Sequence, residues 1–187
     1  MLTDDDIVAN KLRIIDLLKQ TEREGIHDYI KYIENSDFFL APASTKYHRN
    51  YPGGLAEHCL NLLELLKLSN SRIKKSLQLR EDSIIIIALC HDICKEGLYK
   101  KKSDGKYYVD NSHPANHQHS ALSVERIEKY IKLRPIEKNI ILCHMGLYSC
   151  YEYGMEIKLE YLMKATKRNP LVQIFSAIDN EESHWQK

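Results

Sequence analysis

The chain has 187 residues, with 27 Lys+Arg against 26 Asp+Glu and a formal net charge of +1, which suits one compact domain and leaves little room for a second. No global basic field advertises nucleic acid and no acidic tail suggests disorder, so an anionic ligand must be held by local groups. The longest apolar run, Ile84–Cys90, is far short of the ~20 residues of a membrane span, the start MLTDDDIVAN is acidic where a signal peptide is basic, and the five cysteines lack the spacing of a disulfide framework; a soluble, cytoplasmic protein with reduced thiols is expected.

Thr3 followed by Asp4, Asp5 and Asp6 reads as a capped helix start. The helix should run to about Lys19 and bury Ile7, Leu12, Ile15 and Leu18. A second, short helix covers roughly residues 22–34. The stretch LAPASTKYHRNYPGG, with two prolines and paired glycines, is loop. From Leu55 to Leu68 the leucines recur at helical spacing, and Glu81–Cys94 is a helix apolar nearly all round, hence central. In LYKKKSDGKYYVDN the period changes: two short Tyr/Lys/Val runs flank Ser-Asp-Gly, a β-hairpin with a glycine turn near residues 98–109. Helical patterning resumes over Asn116–Leu133, over Pro135 to about Met145 with proline in the first turn, over Ile157–Thr166, and from Pro170 to about Glu182. The expected fold is an all-α helical bundle with one small hairpin insertion.

Six polar side chains fall on faces that should form the core. His58 is in register with Leu55, Leu62 and Leu65, and His91 lies four residues after Ile87. Asp92 continues the row of Ile85, Ala88 and Leu89, His144 that of Ile140 and Ile141, and Asp179 that of Leu171 and Phe175; His119 opens a helix whose inner face carries Leu122 and Ile127. An unpaired polar group in a core costs on the order of 1 to 3 kcal/mol, and a bare charge much more. A lone histidine there is usually a hydrogen-bonded core residue, but six such groups on five helices call for a shared partner. A divalent metal is the economical one, because it satisfies imidazole and carboxylate together. Neighbours on a helix point about 100° apart. His91 and Asp92 can therefore serve one centre only if the helix ends there, if one side chain reaches sideways, or if Asp92 bridges two ions.

GGLAEHCLNLLEL, ALCHDICK, HSALSVERI, CHMG and FSAIDNEE, in that order, resemble the HD superfamily of metal-dependent phosphohydrolases from about Phe38 to Glu182. The resemblance is greatest to small HD hydrolases of bacteria and phages and to the HD module of bacterial 3′-to-5′ exoribonucleases, which share a loop like APASTKYHRNYPGGLAEH. It implies a single HD-type domain over residues 1–187, with N-terminal helices at 1–37 before an HD core at 38–183. It implies further that His58, His91, Asp92 and Asp179 hold one metal, that His119 and His144 bind a second, and that Asp92 lies between the ions. Cys143-His144 stands where some two-metal relatives have paired histidines, and the exoribonucleases carry an extra nucleic-acid-binding domain for which this chain has no room.

Two divalent ions can activate a water and neutralise phosphoryl oxygens, and imidazole-rich, mixed N/O donors favour Mn, Fe, Co, Ni or Zn over magnesium. Asp92 and Lys95 are the expected catalytic residues, with Lys95, one helical turn after Asp92, meeting a substrate phosphate as a point charge. His48 and Arg49 in the loop are further phosphate contacts, and Tyr148, Tyr151 and Tyr153 candidates to stack on a nucleobase, weighed against ordinary loop polarity and packing. Cys90 and Cys94 read as small core residues rather than zinc ligands, His113 and His117 as loop residues, and Lys100, Lys101, Lys102 and Lys106 as a solvated face. The expected partner is a small phosphorylated substrate of the nucleotide class, hydrolysed through metal-activated water, and a homo-oligomer stays open. The alternatives are a 3′-to-5′ nuclease on single-stranded RNA or DNA ends and a non-catalytic nucleotide-binding sensor.

Overall fold

A computed structural model describes residues 1–46, 48–151 and 157–184, with the side chains of Ser149 and Tyr151 outside that set. The helices are α1 (Asp4–Gln20), α2 (Ile26–Glu34), α3 (Gly54–Arg72), α4 (Glu81–Cys90), α5 (His119–Glu128), α6 (Pro135–Cys143), α7 (Tyr148–Tyr151), α8 (Leu159–Arg168) and α9 (Leu171–His184). Strands β1 (Tyr99–Lys101) and β2 (Tyr107–Val109) form an antiparallel pair with Lys100 opposite Tyr108. The architecture is thus the expected helical bundle with one hairpin.

Local chemistry explains the boundaries. Thr3 Oγ1 accepts from the Asp6 amide at 3.2 Å while the Asp6 carboxylate accepts from the Thr3 amide at 2.8 Å, a reciprocal cap that starts α1. The inner face of α1 is Ile14, Ile15 and Leu18, whereas Leu12, expected inside, is 61% exposed. No residue of α1 before Ile14 is buried, so helical spacing there does not guarantee cover. The second helix begins at Ile26, later than expected, because Gly25 has φ +78° and its Cα sits against the Tyr130 carbonyl: an added Cβ would lie 1.9 Å from that oxygen.

Helix α4 packs on α1, α3 and α6, and every residue from Ser83 to Cys90 is buried. One continuous apolar cluster draws residues from every helix from α1 to α9. Contrary to the expectation of a helix to Cys94, α4 stops at Cys90. His91 caps it with helical dihedrals, Asp92 takes φ −105° and ψ 17°, and a single 3₁₀ turn follows over Ile93–Lys95. The helix expected over 116–133 is likewise divided: a 3₁₀ turn at Pro114–Asn116, a non-helical Gln118 (φ −142°, ψ 49°), then α5 from His119. It also ends at Glu128, five residues short of the expected Leu133, and Arg134 beyond it is extended at ψ 152° ahead of Pro135.

The turn after α4 is tied to α5. The Cys94 amide donates to Ser123 Oγ at 3.1 Å, and Arg126 donates to the Ile93 carbonyl at 2.8 Å. Cys94, Leu98, Ala115 and Leu122 form a second small core that seats the hairpin beside that turn, with Tyr99 and Val109 against it. All five cysteines are buried and none is in a disulfide. No helix among the described residues is long and apolar enough to cross a membrane.

Candidate metal centre

The six polar residues on apolar faces meet at the C-terminal end of α4. His58 comes from α3, His91 and Asp92 from the turn closing α4, His119 from the first residue of α5, His144 from the residue capping α6, and Asp179 from α9. Asp92 is central and buried. Its Oδ2 lies 3.8 Å from His58 Nε2 and 3.5 Å from His91 Nε2, and its Oδ1 lies 2.9 Å from His119 Nε2 and 3.5 Å from His144 Nε2. One carboxylate oxygen thus faces each half of the cluster. His58 Nε2 is also 3.3 Å from Asp179 Oδ1. Donor atoms of His58, His91 and Asp92 lie within 4.8 Å of one another, as do those of Asp92, His119 and His144, and those of His91, His144 and Asp179.

Helix ends do the positioning. The last carbonyls of a helix have no intrahelical donor. His91 places Nδ1 3.0 Å from the Ala88 carbonyl, and His144 places Nδ1 2.6 Å from the Ile141 carbonyl, in each case three residues back. A carbonyl only accepts, so Nδ1 carries the hydrogen and Nε2 presents its lone pair to the centre. His58 has its Nδ1 held instead by the buried carboxylate of Glu182, which accepts from it, and a cation at Nε2 would take the place of the proton that Asp179 and Glu182 otherwise favour there. The result is three buried ring nitrogens, Nε2 of His58, His91 and His144, with no hydrogen-bond partner. Each would cost on the order of 1 to 3 kcal/mol if left so. A divalent cation fits the donor set: it would satisfy these nitrogens, and it would balance Asp92, Asp179 and Glu182, which face two fixed cations, Lys95 and Arg49.

The electrostatics follow from burial and neighbours. Burial pushes His91 down to about 3 and lowers His119. Burial also opposes charge on His58, but the Asp179 and Glu182 carboxylates outweigh it and raise that ring to about 9. Burial works against ionised Asp92 as well, and Lys95 and His91 overcome it, holding the carboxyl well below its ordinary range.

A cavity of about 440 Å³ opens over Asp92, His144 and Asp179, with His48, Lys95 and Tyr148 in its walls. Lys95 Nζ sits 2.7 Å from Asp92 Oδ2 and 3.0 Å from the Ala43 carbonyl. His48, which burial pushes down to about 3, lines the same space. Tyr148 is 49% exposed at the rim; Tyr153 and the Tyr151 side chain lie outside the described residues. Arg49 departs from expectation. It does not line the cavity, because its guanidinium is drawn behind the centre to Glu182 Oε1 at 2.6 Å and Glu57 Oε2 at 3.1 Å. Met145, Asn180, Ser183 and His184 complete the walls. These residues, and Glu182, were not singled out in the sequence. Glu182 had a readable signal, since it follows Asp179 by three positions on one helix face.

The HD domain family model matches residues 55–183 of the chain. Over 112 residues the chain is 36% identical to the dihydroneopterin 2′,3′-cyclic phosphate phosphodiesterase of Methanocaldococcus jannaschii, an alignment that covers 58% of this chain and 43% of that protein. The chain thus spans less than half the length of this curated relative. No solved structure matches it. With the family model spanning the helices that carry all six converging side chains, the chain belongs to the HD domain family.

Proposed function

We propose that the protein is a metal-dependent phosphodiesterase acting on a small, nucleotide-like substrate. The observation that carries this reading is the set of three buried imidazole nitrogens, unpartnered and turned toward one central carboxylate on the floor of an open cavity. His58, His91, Asp92 and Asp179 would hold one ion, and Asp92, His119 and His144 a second. Their mixed nitrogen and oxygen donors favour Mn, Fe, Co, Ni or Zn. Bound there, such ions supply an activated water and neutralise charge on phosphoryl oxygens.

The chain's own residues supply the rest. Lys95 reaches the cavity with its ammonium already in place and would bind a phosphoryl oxygen as a point charge. His48 stays neutral through burial and would hydrogen-bond the phosphate without adding a charge. Tyr148 at the rim would pack on the organic part. The relative whose name specifies a 2′,3′-cyclic phosphate supports a cyclic phosphodiester as first choice of substrate. Hydrolysis of such a ring forms one water-oxygen-to-phosphorus bond, opens one ester bond, and leaves the proton on the departing oxygen.

The test is to strip the metal, reload with Mn²⁺, Fe²⁺, Co²⁺, Ni²⁺, Zn²⁺ or Mg²⁺, and screen nucleoside and pterin cyclic phosphates, dinucleotides, nucleoside mono-, di- and triphosphates and short oligonucleotides. Metal-dependent opening of a cyclic or dinucleotide phosphodiester is expected. Turnover confined to oligonucleotide ends would replace this reading with the nuclease, and tight nucleotide binding with no product under any metal would replace it with the sensor.

A further inference from the structure

We propose that Glu182, clamped by Arg49, is a positioning residue for the metal centre: it fixes the ring of His58, a candidate ligand inside a helix, where no last-turn carbonyl can orient it. The inference rests on the metal-dependent reading above. His91 and His144 cap their helices and use last-turn carbonyls three residues back. His58 is near the start of the 19-residue α3, and its neighbouring carbonyls are consumed by the helix. Its Nδ1 must find an acceptor elsewhere.

Helix α9 provides it. Asp179 Oδ1 lies on the Nε2 side of the ring and Glu182 accepts on the Nδ1 side, so adjacent turns of one helix grip the imidazole from both edges. Glu182 is fully buried, and its other oxygen receives Arg49 Nη1 at 2.6 Å and Asn61 Nδ2 at 3.1 Å. Arg49 is itself held in an unusual backbone state. Its φ is +41°, and Gly54 approaches so closely that a Cβ there would lie 2.2 Å from the Arg49 carbonyl. A side chain at 54 would push this loop off α3. The desolvation of a buried Arg–Glu pair offsets most of its attraction, so such pairs add little net stability. Orientation of the ligand is the benefit that geometry does explain. Through Arg49, the loop that carries His48 is coupled to the metal-facing ring.

The test uses the full chain, stripped of metal and titrated with Co²⁺, with affinity measured by calorimetry and ligand geometry by the visible absorption of the bound ion. Glu182→Gln keeps an acceptor for Nδ1 and loses the charge, Glu182→Ala loses both, and Arg49→Met leaves the carboxylate unclamped. Glu182→Ala is expected to weaken Co²⁺ binding by about 10- to 100-fold with an altered spectrum, Glu182→Gln to recover most of that loss, and Arg49→Met to fall between. The double variant Arg49→Met/Glu182→Ala should bind no more weakly than Glu182→Ala alone, because Arg49 acts through Glu182. If Glu182→Ala fails to fold, Arg49→Met decides: affinity and spectrum equal to wild type overturn the proposal. Variants that melt earlier yet bind Co²⁺ within twofold of wild type also overturn it, since Glu182 would then be merely structural. A wild-type chain that takes up no divalent metal instead overturns the metal reading itself.

Discussion

Asp92 is the residue on which the centre turns, since each of its oxygens faces a different pair of histidines. Removing a ligand from one side should therefore be separable from removing one from the other. His144→Ala is expected to halve the bound metal, losing the ion nearer Oδ1, whereas His58→Ala or His91→Ala should strip the site nearer Oδ2; metal stoichiometry by mass spectrometry of the desalted protein checks this. Lys95 has a different expected signature. Lys95→Met should keep the full metal content and lower kcat/KM by about 10- to 100-fold, an ammonium-to-phosphate contact contributing roughly 1.5 to 3 kcal/mol. Loss of metal in that variant would show that the 2.7 Å contact with Asp92 holds the carboxylate in place instead.

At the scale of elements, helix ends matter more than helix lengths. An α4 extended to Cys94, as periodicity suggested, would direct His91 and Asp92 about 100° apart. With the helix ended at Cys90, His91 Nε2 and Asp92 Oδ2 come within 3.5 Å of each other at one centre. The opposite end of α4 is anchored by polar groups: Glu137, fully buried on α6, accepts from Arg23 at 2.7 Å, Ser83 at 2.6 Å and Arg134 at 2.9 Å, with Asp82 Oδ2 2.6 Å from Arg134. Burial works against the charged Glu137, and these donors overcome it and lower its pKa. A carboxyl depressed on folding contributes stability above its unfolded pKa of about 4.3, and that contribution is lost as pH falls through the lower folded value. Glu137→Gln should accordingly cost roughly 3 kcal/mol at pH 7 by leaving Arg23 and Arg134 to share the single carboxylate of Asp82. The gap from wild type should narrow below about pH 4, as chemical denaturation at a series of pH values would reveal.

For the whole molecule, function and folding share one set of buried groups. The unpartnered imidazole nitrogens exist only in the folded chain, so a cation binding them stabilises the folded state by mass action. At a free metal concentration a hundredfold above Kd the gain is about 2.7 kcal/mol, or about 5 to 10 °C in Tm for a chain of this size. Chelation should reverse it, and calorimetric scans with and without Mn²⁺ provide the check; an unchanged Tm would contradict binding at this site.

Much of this was legible in the chain. The apolar rows that seat α3, α4, α6 and α9 are periodic, and a polar residue interrupting such a row is visible without coordinates: His58, His91, Asp92, His119, His144 and Asp179 were all found in that way. The hairpin showed through its change of period and its glycine. What stayed hidden depends on groups far apart in sequence. Arg49 reads as a phosphate contact until Glu182, 133 residues later, is seen to draw it behind the centre. Leu12 keeps perfect helical spacing, yet it stays 61% exposed. The sequence by itself determined which side chains are carried inward, because burial follows a local period of 3.6 residues. Only the tertiary structure decided where each helix stops and which acceptor holds each imidazole, because those choices are made by neighbouring elements competing for the same carbonyls, carboxylates and space.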